Sequence, residues 1–159
     1  MSKYSLHIPY EILDAAELPA DEQQLLDAAL AATEGAFAPY SDFHVGCSLL
    51  LEGGEIISGN NQENVAFPSG LCAERTALFY AGSIGKADQM RKMAIRATSA
   101  NFEVKEPPTS CGACRQVMVE YEKRTGHDVV VLMQGKSGKV LRLNGIKNCL
   151  LPFSFDLEI

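Results

Sequence analysis

The chain has 159 residues, 47% of them hydrophobic and 21% charged, which fits one folded domain of a sheet covered by helices and excludes a disordered segment. The formal net charge of −6 excludes a general nucleic-acid binder, because that affinity comes from lysine and arginine meeting phosphates. Five cysteines, two of them only three positions apart, no apolar export signal at the start and no apolar run of bilayer length predict a soluble protein of a reducing cytoplasm.

Residues 1–20 read as an N-terminal extension around Pro9, with a short helix expected at Tyr10–Glu17, and residues 21–159 as the domain proper. Asp21 and Glu22 after Pro19 favour a helix start, and the stripe Leu25, Leu26, Ala29, Leu30 predicts a packing helix to about Gly35. Pro39-Tyr40-Ser41-Asp42 is a turn. Phe43–Leu51 has the content of a buried strand, Gly53-Gly54 reads as a hairpin turn, and Glu55–Gly59 returns antiparallel. Asn60–Leu71 is a polar loop that feeds a helix from Cys72 to about Gly82. Met93–Thr98 is a third strand, Ser99–Ser110 a loop carrying Pro107-Pro108, and Cys111–Lys123 a helix. A strand at Asp128–Gln134, a Gly-rich turn and a short strand at Val140–Leu143 complete the pattern. This order predicts one mixed sheet sandwiched between helices.

Two stretches carry the chemistry, Cys72-Ala73-Glu74-Arg75 and Ser110-Cys111-Gly112-Ala113-Cys114-Arg115-Gln116. Two cysteines separated by two residues at a turn entering a helix can aim both sulfurs at one zinc ion, and Cys72 is the best third ligand. Three protein ligands leave one tetrahedral position for water, the mark of a catalytic rather than a structural site. Glu74 then lies close enough to act on that water without binding the metal. Helix N-termini stabilise thiolates, and Arg75 offsets the excess negative charge of three of them. Alone, Cys-x-x-Cys is ambiguous among structural zinc, redox thiols and chance. Cys47 in an apolar strand and Cys149 beside Leu150 read as core residues. His7, His44 and His127 have no partner at metal spacing; His44, next to Phe43, is the one that could border a pocket.

Cys-Ala-Glu-Arg followed by Cys-Gly-Ala-Cys-Arg-Gln resembles the zinc-dependent cytidine deaminases, in particular the short-chain type with three cysteine ligands. The likeness runs from about Pro39 to Phe155 and is densest between Asn60 and Gln116. It implies a three-layer α/β/α fold with a five-stranded mixed sheet, and zinc between two helix N-termini. It also implies hydrolytic deamination of cytidine or deoxycytidine in pyrimidine salvage, with Glu74 as proton shuttle. By the same resemblance Asn61 and Glu63 bond the sugar hydroxyls and Phe43 packs on the substrate ring. Phe67, Ala73 and Thr109 border the substrate, Thr109 through the carbonyl that receives the leaving amine. Phe155 reaches a neighbouring subunit's pocket in a homotetramer, and Arg75 and Gln116 stand behind the ligands. Ser110 departs from the family's common proline, and Phe67 from its frequent tyrosine. A structural zinc module would need a fourth ligand, a nucleic-acid-editing deaminase a basic groove, and a deaminase of blasticidin S would have less use for Asn61 and Glu63.

Overall fold

The computed structural model describes residues 2–157. Among them six strands form one sheet in the order β1-β6-β5-β4-β2-β3. These are β1 Glu11–Asp14, β2 His44–Leu51, β3 Ile56–Asn60, β4 Met90–Thr98, β5 Val130–Gln134 and β6 Lys139–Asn144. Only the β4–β5 pair is parallel. A parallel pair requires a crossover, and α3 (Gly112–Thr125) supplies it.

Alternation along the strands builds two cores. Cys47 and Leu49 of β2, Met93 and Ile95 of β4, and Val131 and Met133 of β5 face α2 (Ala73–Ser83), α3 and the short α4 (Ile146–Leu150). Ala94 and Leu132 point the other way and pack with Leu25, Leu26 and Ala29 of α1 (Ala20–Ala32). The three-layer α/β/α expectation therefore holds. Two glycines let helices lie against the sheet: a Cβ on Gly46 would come within 1.9 Å of the Ala29 carbonyl oxygen, and one on Gly59 within 2.6 Å of the Ala77 nitrogen.

The sheet has six strands rather than five, and the short helix expected at Tyr10–Glu17 does not form. Residues 11–14 pair antiparallel with β6 instead, with Glu11 opposite Arg142 and Asp14 opposite Lys139. The acidic residues at helical spacing are ion-pair partners for that neighbour, Glu11 to Arg142 at 2.8 Å and Asp14 to Lys139 at 2.8 Å. Only Ala15–Glu17 makes a single 3₁₀ turn.

Glu22, read from the sequence as a helix-start acid, is also buried against the sheet. It pairs with Lys92 at 2.8 Å and Arg142 at 3.1 Å. These two bonds tie α1 to β4 and β6. Helix α4 had no sequence signal, because its N-terminus is capped from a distance. The buried Glu122 of α3 accepts from the backbone N–H groups of Ile146 at 2.6 Å, Lys147 at 2.8 Å and Val129 at 2.9 Å.

Candidate active site

The N-termini of α2 and α3 meet over the sheet. Cys72 is the N-cap of α2 and Cys111 the N-cap of α3, both extended, while Cys114 lies in the first turn of α3 and is fully buried. The extended backbone at each cap turns a sulfur toward the other helix, and the three sulfurs all lie within 4.8 Å of one another. A tetrahedral zinc with Zn–S bonds of about 2.3 Å sets its sulfurs roughly 3.8 Å apart, so this cluster fits with a small inward adjustment. Among the described residues no further histidine, cysteine, aspartate or glutamate joins the group. The donor set is soft thiolate throughout, which suits zinc.

The cluster polarises its own thiols. The Cys72 thiol is pulled down to about 6, first by the Cys114 S–H that donates to it and then by Arg75, whose Nη2 stands 3.7 Å from its sulfur. Cys114 is pushed up, first by sharing that proton with Cys72 and then by its burial. Arg75 also reaches the Gly70 carbonyl at 3.5 Å, so it clamps the loop before Cys72 to the start of α2.

Glu74, on the first turn of α2, is only 5% exposed, and its carboxylate has no hydrogen bond or ion pair among the described residues. Its charge is felt at Cys72, Cys114 and Cys47, raising each thiol. A buried carboxylate without a partner is costly to maintain, and such a group beside a metal-ligand cluster is available for proton transfer.

A cleft of about 460 Å³ runs up to the cluster at Cys72 and Arg75, with Tyr40, Ser41, Glu63 and Phe67 on its walls. The Glu63 carboxylate accepts from the backbone N–H of Tyr40 at 2.9 Å and Ser41 at 3.3 Å, and from the Ser41 hydroxyl. Those donors, the Ser41 hydroxyl first, lower its pKa. Asn61 sits just behind, buried, with Oδ1 accepting from Val45 N–H at 2.7 Å and Nδ2 donating to the Phe43 carbonyl at 2.8 Å. It therefore fixes the entry to β2. Phe43 stacks on Phe102, with centroids 6.0 Å apart.

The remaining residues named from the sequence divide in their placement. Ala73 is fully buried at the start of α2, and Thr109 is exposed ahead of Cys111. The Gln116 side chain brackets the backbone of Phe155, donating to its carbonyl at 2.8 Å and accepting from its N–H at 3.1 Å. This ties the tail to α3 while the Phe155 ring stays 73% exposed. Phe67 is also exposed, edge-on to Tyr40. His44 turns to Asp42 at 3.3 Å and does not line the cleft.

The sequence reading missed Tyr40 and Ser41 as partners of Glu63, because Pro39–Asp42 looked like a plain turn. It also missed Arg115, whose Nε donates to the Ser110 carbonyl at 2.8 Å and Nη1 to the Leu150 carbonyl at 3.2 Å. Hydrogen bonds thus hold the approach to Cys111 where the family commonly has a proline.

A mixed sheet carrying three converging cysteine sulfurs and a buried carboxylate without a partner where two helices begin has the make-up of a zinc hydrolase site. Residues 19–133 match the model of the cytidine and deoxycytidylate deaminase zinc-binding region. A cytidine deaminase of Halalkalibacterium halodurans is 46% identical over 138 residues, covering 87% of this chain and 96% of the relative. One from Sporosarcina psychrophila is 44% identical over 138 residues, covering 87% and 93%. The crystal structure of cytidine deaminase from Burkholderia pseudomallei superposes with a TM-score of 0.72 at 37% identity, over 83% of this chain and 97% of that one. The chain therefore belongs to the zinc-binding cytidine and deoxycytidylate deaminase family, and Cys72, Cys111 and Cys114 form a cluster that could hold a zinc ion.

Proposed function

We propose that this chain hydrolyses cytidine, deoxycytidine or both to the uracil nucleoside and ammonia, with a place in pyrimidine salvage. The observation that carries it is the partnerless buried Glu74 beside three converging thiols. Zinc held there supplies the Lewis acidity that brings the acidity of a water into the physiological range. Glu74 takes a proton from the water that adds to C4 of the base and places it on N3. It then carries the second water proton to the exocyclic amine, so that the C4–N4 bond breaks, ammonia leaves and a C4 carbonyl remains. The Thr109 carbonyl would receive the leaving amine, and Ala73 would offer the unpaired N–H of a first helical turn to the base.

Phe43 would pack against the ring, and Phe67 would close the cleft. Glu63 and Asn61 would bond the sugar hydroxyls through the capacity their own contacts leave free. A site built for hydroxyls rejects a substrate lacking them, since its polar groups are left unpaired. Incubation with cytidine, deoxycytidine, cytosine, adenosine and blasticidin S, followed by ammonia release, should show turnover of the first or the second, with cytosine slower by roughly a hundredfold or more. Cytosine processed as fast as cytidine contradicts the sugar contacts, and turnover of adenosine or blasticidin S alone contradicts the activity.

The assembly fits a homotetramer with sites completed across interfaces. In support, Phe155, Phe67, Phe79 and Tyr80 are exposed aromatic rings, a residue type that protein interfaces favour. Sedimentation equilibrium should give about four times the 17.2 kDa chain mass, and a purely monomeric species at micromolar concentration contradicts this.

Residues 1–20 form an extension to a deaminase-like catalytic domain at 21–159, although β1 within it completes the sheet edge. A chain starting at residue 21 should keep its zinc while losing some thermal stability, and loss of zinc contradicts the division. The free cysteines suit a reducing cytoplasm, and cell fractionation placing the protein outside it contradicts that location. Among the described residues no helix is long and apolar enough to cross a membrane.

A further inference from the structure

A second cleft, of about 660 Å³, lies past the C-terminal ends of the parallel strands β4 and β5, where α/β sheets commonly take ligands. Its walls come from Leu30 of α1, the segment from Arg96 to Val104, and Lys136. Arg96 is half-buried there, and its guanidinium has no hydrogen bond or ion pair among the described residues, with Nε wholly buried. Among the described residues Asp27 is the one acidic group that favours its charge, and the two form no ion pair. Arginine stays charged in proteins, so a desolvated guanidinium without a counterion asks for an anion. Lys136, on the same wall, is committed only to the partly exposed Glu103 at 3.3 Å.

The rest of the lining suits an organic body on that anion. Phe102 stacks on Phe43 by one face, while its ring remains 49% exposed in the cleft wall. Thr98, Ser99 and Asn101 add hydroxyl and amide groups. We infer that this cleft binds a mononucleotide-sized organic phosphate, its phosphate on Arg96 and Lys136 and its base on the open face of Phe102. The volume is that of an ordinary small-ligand site, and planar guanidinium is a strong phosphate partner. Two cations, Arg96 and Lys136, in the cleft of a chain with a net charge of −6 suit one phosphate and not a polynucleotide.

Occupancy reaches the catalytic side through two connections. One is the Phe102–Phe43 stack. The other is Asp42, in the left-handed region at φ 54, whose carboxylate accepts from Ser99 Oγ, Ala100 N–H and Asn101 N–H, each at 2.9 Å. A ligand that shifts the 99–102 segment therefore shifts Phe43, and this coupling rests on the deaminase reading while the binding itself does not.

The test is calorimetric titration of the zinc-loaded enzyme with uridine 5′-monophosphate and adenosine 5′-monophosphate, with excess uridine occupying the catalytic cleft. At least one mononucleotide should bind saturably despite the uridine, at least tenfold more weakly in Arg96→Met, and several-fold more weakly in Lys136→Glu at an exposed position that tolerates change. No saturable binding up to 5 mM (about −3 kcal/mol), equal affinity in both variants, or displacement by uridine overturns the site. Steady-state assays should show the bound mononucleotide moving KM for cytidine at least twofold with kcat held, and an unmoved KM at saturation overturns the link through Phe43.

Discussion

Glu74→Gln should reduce kcat for cytidine by roughly a thousandfold or more, the upper part of the range for loss of a positioned acid/base group, while zinc content and circular dichroism stay those of the parent. The glutamine keeps the volume of a side chain that is 5% exposed at the start of α2, so packing should survive. It cannot accept the water proton or return one to N3 and the amine. Glu74 has no partner among the described residues, so the substitution breaks no existing bond. The loss therefore falls on turnover and not on stability. A kcat within tenfold of the parent would show that another group moves the protons.

Cys114→Ala should empty the metal site. Cys114 is fully buried between Cys72 and Cys111 and contributes one of three converging sulfurs. With two thiolates left, zinc should fall from one per chain to below about a tenth under dialysis, and turnover should fall below detection. The melting temperature should drop as well, because metal that binds only the folded chain stabilises it by mass action and here links the starts of α2 and α3. Cys47→Ala is the informative comparison: Cys47 lies in the same core and feels Glu74, yet it is no ligand, so its variant should retain zinc. Zinc retained in the Cys114 variant, or lost in the Cys47 variant, would mean the ligand set is wrongly drawn.

The sequence was most informative where chemistry and local geometry coincide. Cys72, Cys111 and Cys114 declare themselves by residue type at helix starts, and the α1 stripe of Leu25, Leu26 and Ala29 is visible in its spacing. What stayed hidden depends on partners distant in the chain. Glu11 and Asp14 mimic a helical face until Lys139 and Arg142 are laid opposite them. Helix α4 exists because Glu122, more than twenty residues earlier, caps it. The same holds within the site. Asn61 and Glu63 were legible through resemblance, but their bonds to Val45, Phe43, Tyr40 and Ser41 follow from loop packing that no local pattern encodes. The Phe43–Phe102 stack joins residues on separate loops and left no trace in either.

X-ray absorption at the zinc edge of the purified protein tests the metal centre most directly. It should show one zinc per chain with three sulfur neighbours at about 2.3 Å and a single oxygen or nitrogen scatterer at about 2.0 Å that is replaced or shifted when a nucleoside analogue binds. Four sulfur neighbours, or a fourth protein ligand unmoved by the analogue, would contradict a site with a position open to water.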